Sequence, residues 1–161
     1  MIGVETDVSA EWGKSIDWPA LARSAVHAGI AHSRHPRLSD SEVSVKFTSD
    51  AEVRALNAAW RGQDKATNVL SFPMAGESEL ASAQLLGDIV LAHGICAAEA
   101  AEKNVAVEVH AAHLVVHGTL HLLGYDHETS DEDAEEMEEA ERRALASIGI
   151  ADPYELSEVQ S

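Results

Sequence analysis

Residues 117–127 read HGTLHLLGYDH, and the helix stop inside that stretch decides how the rest of the chain is read. Upstream, VEVHAAHLVVHGTLHLL (107–123) reads as one helix. His117 and His121 stand four residues apart, so their rings lie on one face about one turn, ~6 Å, along the axis. Gly124 follows the last helical leucines, where a left-handed C-terminal residue is expected and glycine takes that conformation without strain. The chain can then turn back and bring His127 towards the same point from outside the helix. Three imidazole nitrogens, each ~2.0–2.1 Å from one zinc ion, leave a fourth position open, which marks a catalytic rather than a structural site. Three histidines also suit nickel, cobalt or copper, so the spacing predicts a metal centre without fixing the metal.

One absent residue narrows the chemistry. The metalloprotease pattern H-E-x-x-H-x-x-G-x-x-H has its glycine and histidines at these offsets, with the glutamate after the first histidine as general base. Here that position is Gly118. A peptidase would lack the carboxylate that takes a proton from the attacking water. Glycine also costs roughly 1 kcal/mol in a helix interior relative to alanine, so close approach by a substrate or a neighbouring strand is expected at Gly118. His113 and His110 precede His117 by four and seven residues on the same helical face. His113 is read as a hydrogen-bonding or packed neighbour of the site rather than a fourth ligand, which would close it.

The remaining segments predict an α+β fold: a small mixed β-sheet packed against several α-helices, with the metal site on a helix of the C-terminal half. Asp17 is placed to cap a helix over DWPALARSAVHAGIAHS, with Pro19 in its first turn. EVSVKFTS alternates as a half-buried strand, and Asp50 is read as the cap of the helix AEVRALNAAW. NVLSFPM and LLGDIVLA read as strands, with a mobile surface loop expected between them at AGESELASAQ. HGICAAEAAEKN reads as a helix, and a last helix opens at Ser130 with Asp133 completing a capping-box-like start. IGVETDVS is a candidate edge strand. With no repeat, linker or proline-rich joint, residues 1–161 are read as a single domain.

Bulk composition bounds the function. The 17.2 kDa chain has 45% hydrophobic and 24% charged residues and a formal charge of −17, which argues against a general nucleic-acid-binding surface. Residues 128–141 hold nine acids and no base; the other 19 acids face 11 bases, at −8. That run is read as a solvated helix face, and any anion site must be local. No apolar run is long enough to span a bilayer, the first eighteen residues lack the plan of a signal peptide, and Cys96 is the single cysteine. A cytoplasmic protein with no membrane association is expected. Cys96 itself is read as a small buried apolar residue.

Two blocks carry a family resemblance. HGTLHLLGYDH resembles the signature H-G-x-L-H-L-x-G-Y-D-H of the YbeY family of endoribonucleases and rRNA maturation factors at every fixed position. LNAAWRGQDKATNVLSFP (56–73) is similar to that family's L-N-x-x-[YW]-R-x-x-D-K-P-T-[DN]-V-L-S-F-P stretch, with Ala66 where the family usually has proline. LLGDIVLA and the late DPY fall in the expected order. The resemblance implies that His117, His121 and His127 bind one zinc ion, and that Arg61 is important for activity. It implies an RNA substrate, the ribosomal RNA precursor of the small subunit, with a role in 16S rRNA 3′-end maturation and ribosome quality control. On that basis Arg61 and His117 are the catalytic candidates. Arg61 and Lys65 are the candidates for holding the substrate phosphate, the guanidinium bidentately and the ammonium as a point charge. Ser71 and Asp88 are read as structural, and Asp126 as a group that orients an imidazole or positions water. Tyr125 and Phe72 are read chiefly as packing residues. Two other readings remain: a zinc peptidase-like hydrolase, which Gly118 opposes, and a non-catalytic ribosome-assembly factor with a structural zinc. For the latter, −17 gives a reason, since such a protein would need a partner, the small ribosomal subunit or its assembly factors, to reach RNA.

Overall fold

Val43, Val45 and Phe47 alternate with Ser44 and Lys46, and that alternation separates two differently covered faces of a sheet. A computed structural model describes residues 1–126 and 129–154. Strands β1 (Gly3–Val8), β2 (Glu42–Thr48), β3 (Val69–Pro73) and β4 (Leu85–Ala92) lie in the order β1-β2-β4-β3. The first three in that order are parallel and β3 runs antiparallel at the far edge, the mixed sheet expected. IGVETDVS supplies edge strand β1.

The helices are α1 (Trp18–Ala31), α2 (Asp50–Arg61), α3 (His93–Lys103), α4 (Val107–Leu122) and α5 (Asp131–Ser147). On one face of the sheet, Val43, Val45, Phe47, Ile89 and Leu91 join residues of α1, α4 and α5 in the main core. On the other, Val53 of α2 packs on Leu70, Val90 and Ala92 in a smaller cluster. Helix α4 is buried almost all round, against α1, α3, α5, β3 and β4; a helix apolar on every side needs such enclosure. Its histidines are therefore held by a rigid element. Burial pushes the Cys96 thiol up to about 12, in keeping with its expected role as a small apolar residue. Among the described residues, no helix is long and apolar enough to cross a membrane.

Two local expectations are corrected. Ser49, not Asp50, caps α2: its Oγ accepts from the Glu52 amide at 3.1 Å, the first half of a capping box. Asp50 is the first helical residue, and its carboxylate accepts from the Ile95 amide at the start of α3. The segment AGESELASAQ is not a surface loop throughout. It holds a 3₁₀ turn over Glu77–Ser82 whose Leu80 is 1% exposed in the main core, because a lone leucine in a polar run still has a side chain to bury. Ser130 does cap α5 by accepting from the Asp133 amide at 3.0 Å, but Asp133 turns its carboxylate to the Thr129 hydroxyl, so the reciprocal half of the box is not made.

Candidate metal centre and its cleft

The helix stop behaves as the sequence predicts. Gly124 has φ +98°, a left-handed conformation that demands glycine there, and the Glu77 side chain packs over it. The reversal carries the Tyr125 carbonyl back to accept from His121 Nδ1 at 2.9 Å. Tyr125 is itself pinned: its hydroxyl accepts from the Arg34 amide, and the Arg34 guanidinium lies 4.0 Å from its ring centroid. Its ring is thus a packing element, as read.

His117 is oriented by a residue that sequence reading misplaced. The acidic run does not end on a solvated face. Glu141, its last member, is 0% exposed. One carboxylate oxygen accepts from His117 Nδ1 at 2.6 Å, and the other accepts from His113 Nε2 at 2.9 Å and from the Tyr154 hydroxyl. Burial alone would raise this carboxyl, but the hydrogen bonds from His113 and His117 outweigh it and hold the group at about 2. Burial beside that carboxylate pushes the Tyr154 phenol up, keeping it a donor. The available signal was the helical stripe Met137, Ala140, Glu141, Ala144, Leu145, all buried, in which the acid occupies a core position. His113 takes the neighbouring role expected for it, and its Nδ1 has no hydrogen-bond partner among the described residues.

These contacts fix both tautomers. A carboxylate and a carbonyl only accept, so His117 and His121 each carry their proton on Nδ1. Their Nε2 atoms then face one another across 3.0 Å on the side of the rings away from those acceptors. Two imidazole nitrogens in a tetrahedral zinc shell stand ~3.3 Å apart, so this pair fits a cation. Carboxylate and carbonyl behind the rings are also the usual orienting groups of ligand histidines. His127, the third expected ligand, lies outside the described residues.

The pair opens into a cleft of about 780 Å³ that Arg61, Lys65 and Asp126 also line. Structure thus brings together four of the five residues singled out for metal and substrate. Arg61 ends α2 and donates through one guanidinium nitrogen to the Ser71 carbonyl. Asp126 is exposed at the rim; Glu141 orients His117 and the Tyr125 carbonyl orients His121. Gly118 proves to be a place of close approach by strands: a Cβ there would lie 2.9 Å from Ile89 Cγ2 and 3.1 Å from Ser71 Oγ. Ser71, read as structural, donates to the Gly118 carbonyl at 3.3 Å. Contact at this glycine sets α4 against β3 and β4, and so sets His117 and His121 in the cleft that Arg61 also lines.

The sequence has close relatives. A family model described as Endoribonuclease YbeY matches residues 8–149. The Endoribonuclease YbeY of Novosphingobium aromaticivorans is 51% identical over 158 residues, covering 94% of this chain and 95% of that protein. That of Rhizorhabdus wittichii is 48% identical over 169 residues, covering 98% and 99%. The solution structure of TM1509 from Thermotoga maritima, 28% identical, matches with a TM-score of 0.57 over 92% of this chain and 91% of that one. Half the residues are shared with relatives along nearly their whole length, and the chain belongs to the endoribonuclease YbeY family.

Proposed function

We propose that this chain is a zinc-dependent endoribonuclease specific for single strands, acting in 16S rRNA 3′-end maturation and ribosome quality control. The observation that carries the reading is the pair of Nε2 atoms held 3.0 Å apart in a cleft shared with Arg61 and Lys65. His117, His121 and His127 would hold one zinc ion. Bound there, zinc supplies Lewis acidity, drawing electron density from a phosphoryl oxygen and making a nearby water a stronger acid.

The chain's own residues do the rest. Glu141 and the Tyr125 carbonyl keep the two rings in the tautomer that presents Nε2 to the cleft. Arg61 is braced by the Ser71 carbonyl, and its remaining donors suit a phosphodiester and the charge that grows on it in the transition state. Lys65, on the same wall, adds a point charge. A peptidase reading is opposed sterically as well as chemically: a glutamate at 118 would drive its Cβ into Ile89 and Ser71.

The substrate class and its maturation step rest on the family, as does the place of the small ribosomal subunit or its assembly factors as partners. The test is metal analysis of pure protein with RNA cleavage measured before chelation, after it, and after zinc is restored. Activity should disappear with the metal and return with it. Full cleavage by metal-free protein would remove the mechanism.

A further inference from the structure

The outer face of the sheet is only partly covered. Registers Ser44↔Asp88 and Phe72↔Asp88 set these three residues in one row across β2, β4 and β3. The next row, with Val90 and Leu70, is closed by Val53 of α2. The first row stays open as a groove of about 550 Å³, lined also by Trp60 and Met74. Those two side chains are 73% and 62% exposed, the large apolar groups besides Met1 that the fold leaves in water among the described residues. Arg61, Ser71 and Pro73 line both this groove and the metal cleft, so the two are continuous. Arg61 forms the ridge between them, its guanidinium 5.4 Å from the centroid of the Phe72 ring.

The charge balance differs across that ridge. On the cleft side stand Arg61 and Lys65, with Asp126 at the rim. In the groove, Asp88 and Glu52 accompany Lys46, which is ion-paired to Glu52. Further along the same row, Glu5 of β1 sits opposite Ser44. A phosphate is therefore better placed on the cleft side than beside the Asp88 carboxylate. A flat, uncharged ring with donors on its edge suits the groove: Trp60 offers a stacking face, and the Asp88 carboxylate accepts from an exocyclic amine or ring N–H.

Resting on the endoribonuclease reading, we infer that this groove is a subsite for one unstacked nucleobase of single-stranded RNA, which stacks on Trp60 while Arg61 holds the adjoining phosphate. Trp60 and Arg61 are consecutive residues in the last turn of α2, as base and phosphate are consecutive along the strand. Unpaired bases are the ones free to leave the stack and meet an aromatic side chain, which ties the subsite to single-strand specificity.

The test uses zinc-loaded protein and a short, labelled 2′-O-methyl RNA whose integrity is checked on a gel, with a single abasic position moved along the strand. For the wild type, one position should weaken binding roughly tenfold when its base is removed, from a stacking contribution of about 1–3 kcal/mol per base. Trp60→Ala should bind the intact strand roughly tenfold more weakly and show no further loss at that position. Trp60→Phe should restore most of the binding. Truncating so exposed a side chain opens no cavity, and an unchanged thermal midpoint verifies that. Wild-type affinity in Trp60→Ala, or an abasic penalty that survives the substitution, overturns the subsite; a groove serving a protein segment would give that result. A wild type that neither binds nor cleaves RNA overturns the endoribonuclease reading itself, and the subsite with it.

Discussion

Replacing Glu141 by glutamine changes one atom and should weaken zinc binding 10- to 100-fold, about 1.4–2.7 kcal/mol. The side chain keeps its shape, but its two ends cease to be equivalent. If the amide nitrogen faces His117, it donates to Nδ1, which moves the ring proton to Nε2 and covers the lone pair meant for the metal. Recovering that lone pair forfeits the hydrogen bond, a loss of about 1–3 kcal/mol for a buried group. If the amide oxygen faces His117 instead, the nitrogen points at His113 Nε2 and the Tyr154 hydroxyl. His113 must then carry its proton on Nδ1, which is buried and has no partner among the described residues. An orphaned buried donor costs about the same 1–3 kcal/mol, so neither orientation escapes. The assay is competition for zinc against a chromogenic chelator. Stability is the poorer readout, because losing charge-assisted bonds and losing a buried charge oppose each other. A folded Glu141→Gln protein whose zinc affinity stays within twofold of wild type would refute the tautomer reasoning.

Three further outcomes are expected. Gly118→Ala should destabilise by about 1–3 kcal/mol through overpacking against Ile89 and Ser71, seen as a fall in thermal midpoint of about 2–10 °C; an unchanged midpoint would mean the helix–strand contact is slack. Arg61→Ala should lower kcat/KM for RNA roughly 100-fold at unaltered zinc content, with Arg61→Lys recovering little because a single ammonium cannot replace the planar fork. Glu77 concerns pH: the hydrogen bond from His35 outweighs the opposing effect of burial and, with a lesser contribution from the Arg34 charge, holds its carboxyl below the usual range. A depressed folded value stabilises above the unfolded carboxyl value of about 4.3, and the gain is lost as pH falls through the folded one. Chemical denaturation should therefore find Glu77→Gln less stable than wild type at pH 7 by under about 1 kcal/mol, the pair being half exposed. That gap should close on acidification; a gap that widens is the contrary result.

What could be read from the sequence was what short-range chemistry encodes. The period-two alternation of β2, the N-caps Asp17 and Ser130, and the glycine stop at 124 each depend on residues within a turn or two, and each stands as read. Ser49 was missed as a cap because Asp50 beside it is equally good in isolation; the choice falls to Ser49 because Asp50 is drawn to the start of α3. Leu80 and Glu141 were missed for one reason. Both sit in runs whose average polarity says water, and burial is decided by the single position facing the core. For Glu141 the partners lie 24 and 28 residues away in α4, and no local pattern announces them. Conversely, the meeting of His117 and His121 was legible because the two are one helical turn apart, whereas Arg61 was singled out only through the family motif, since its place across the cleft depends on how β3 packs on α4.

The buried acid and the acidic surface pose one electrostatic problem at two ranges. Burying a carboxylate costs several kcal/mol, and here three donors offset it. What the carboxylate behind His117 gives in return is a ring held in one orientation, with Nε2 turned to the cleft. Further out, a chain at −17 repels a phosphate backbone. Arg61, Lys65 and a bound divalent ion can reverse the sign only locally, within a screening length of about 8 Å at physiological salt. An RNA already in the cleft feels those cations first; one still in bulk feels the acidic surface. Binding in place is therefore favourable while long-range steering is not, the opposite of a nuclease that captures free RNA through a basic field.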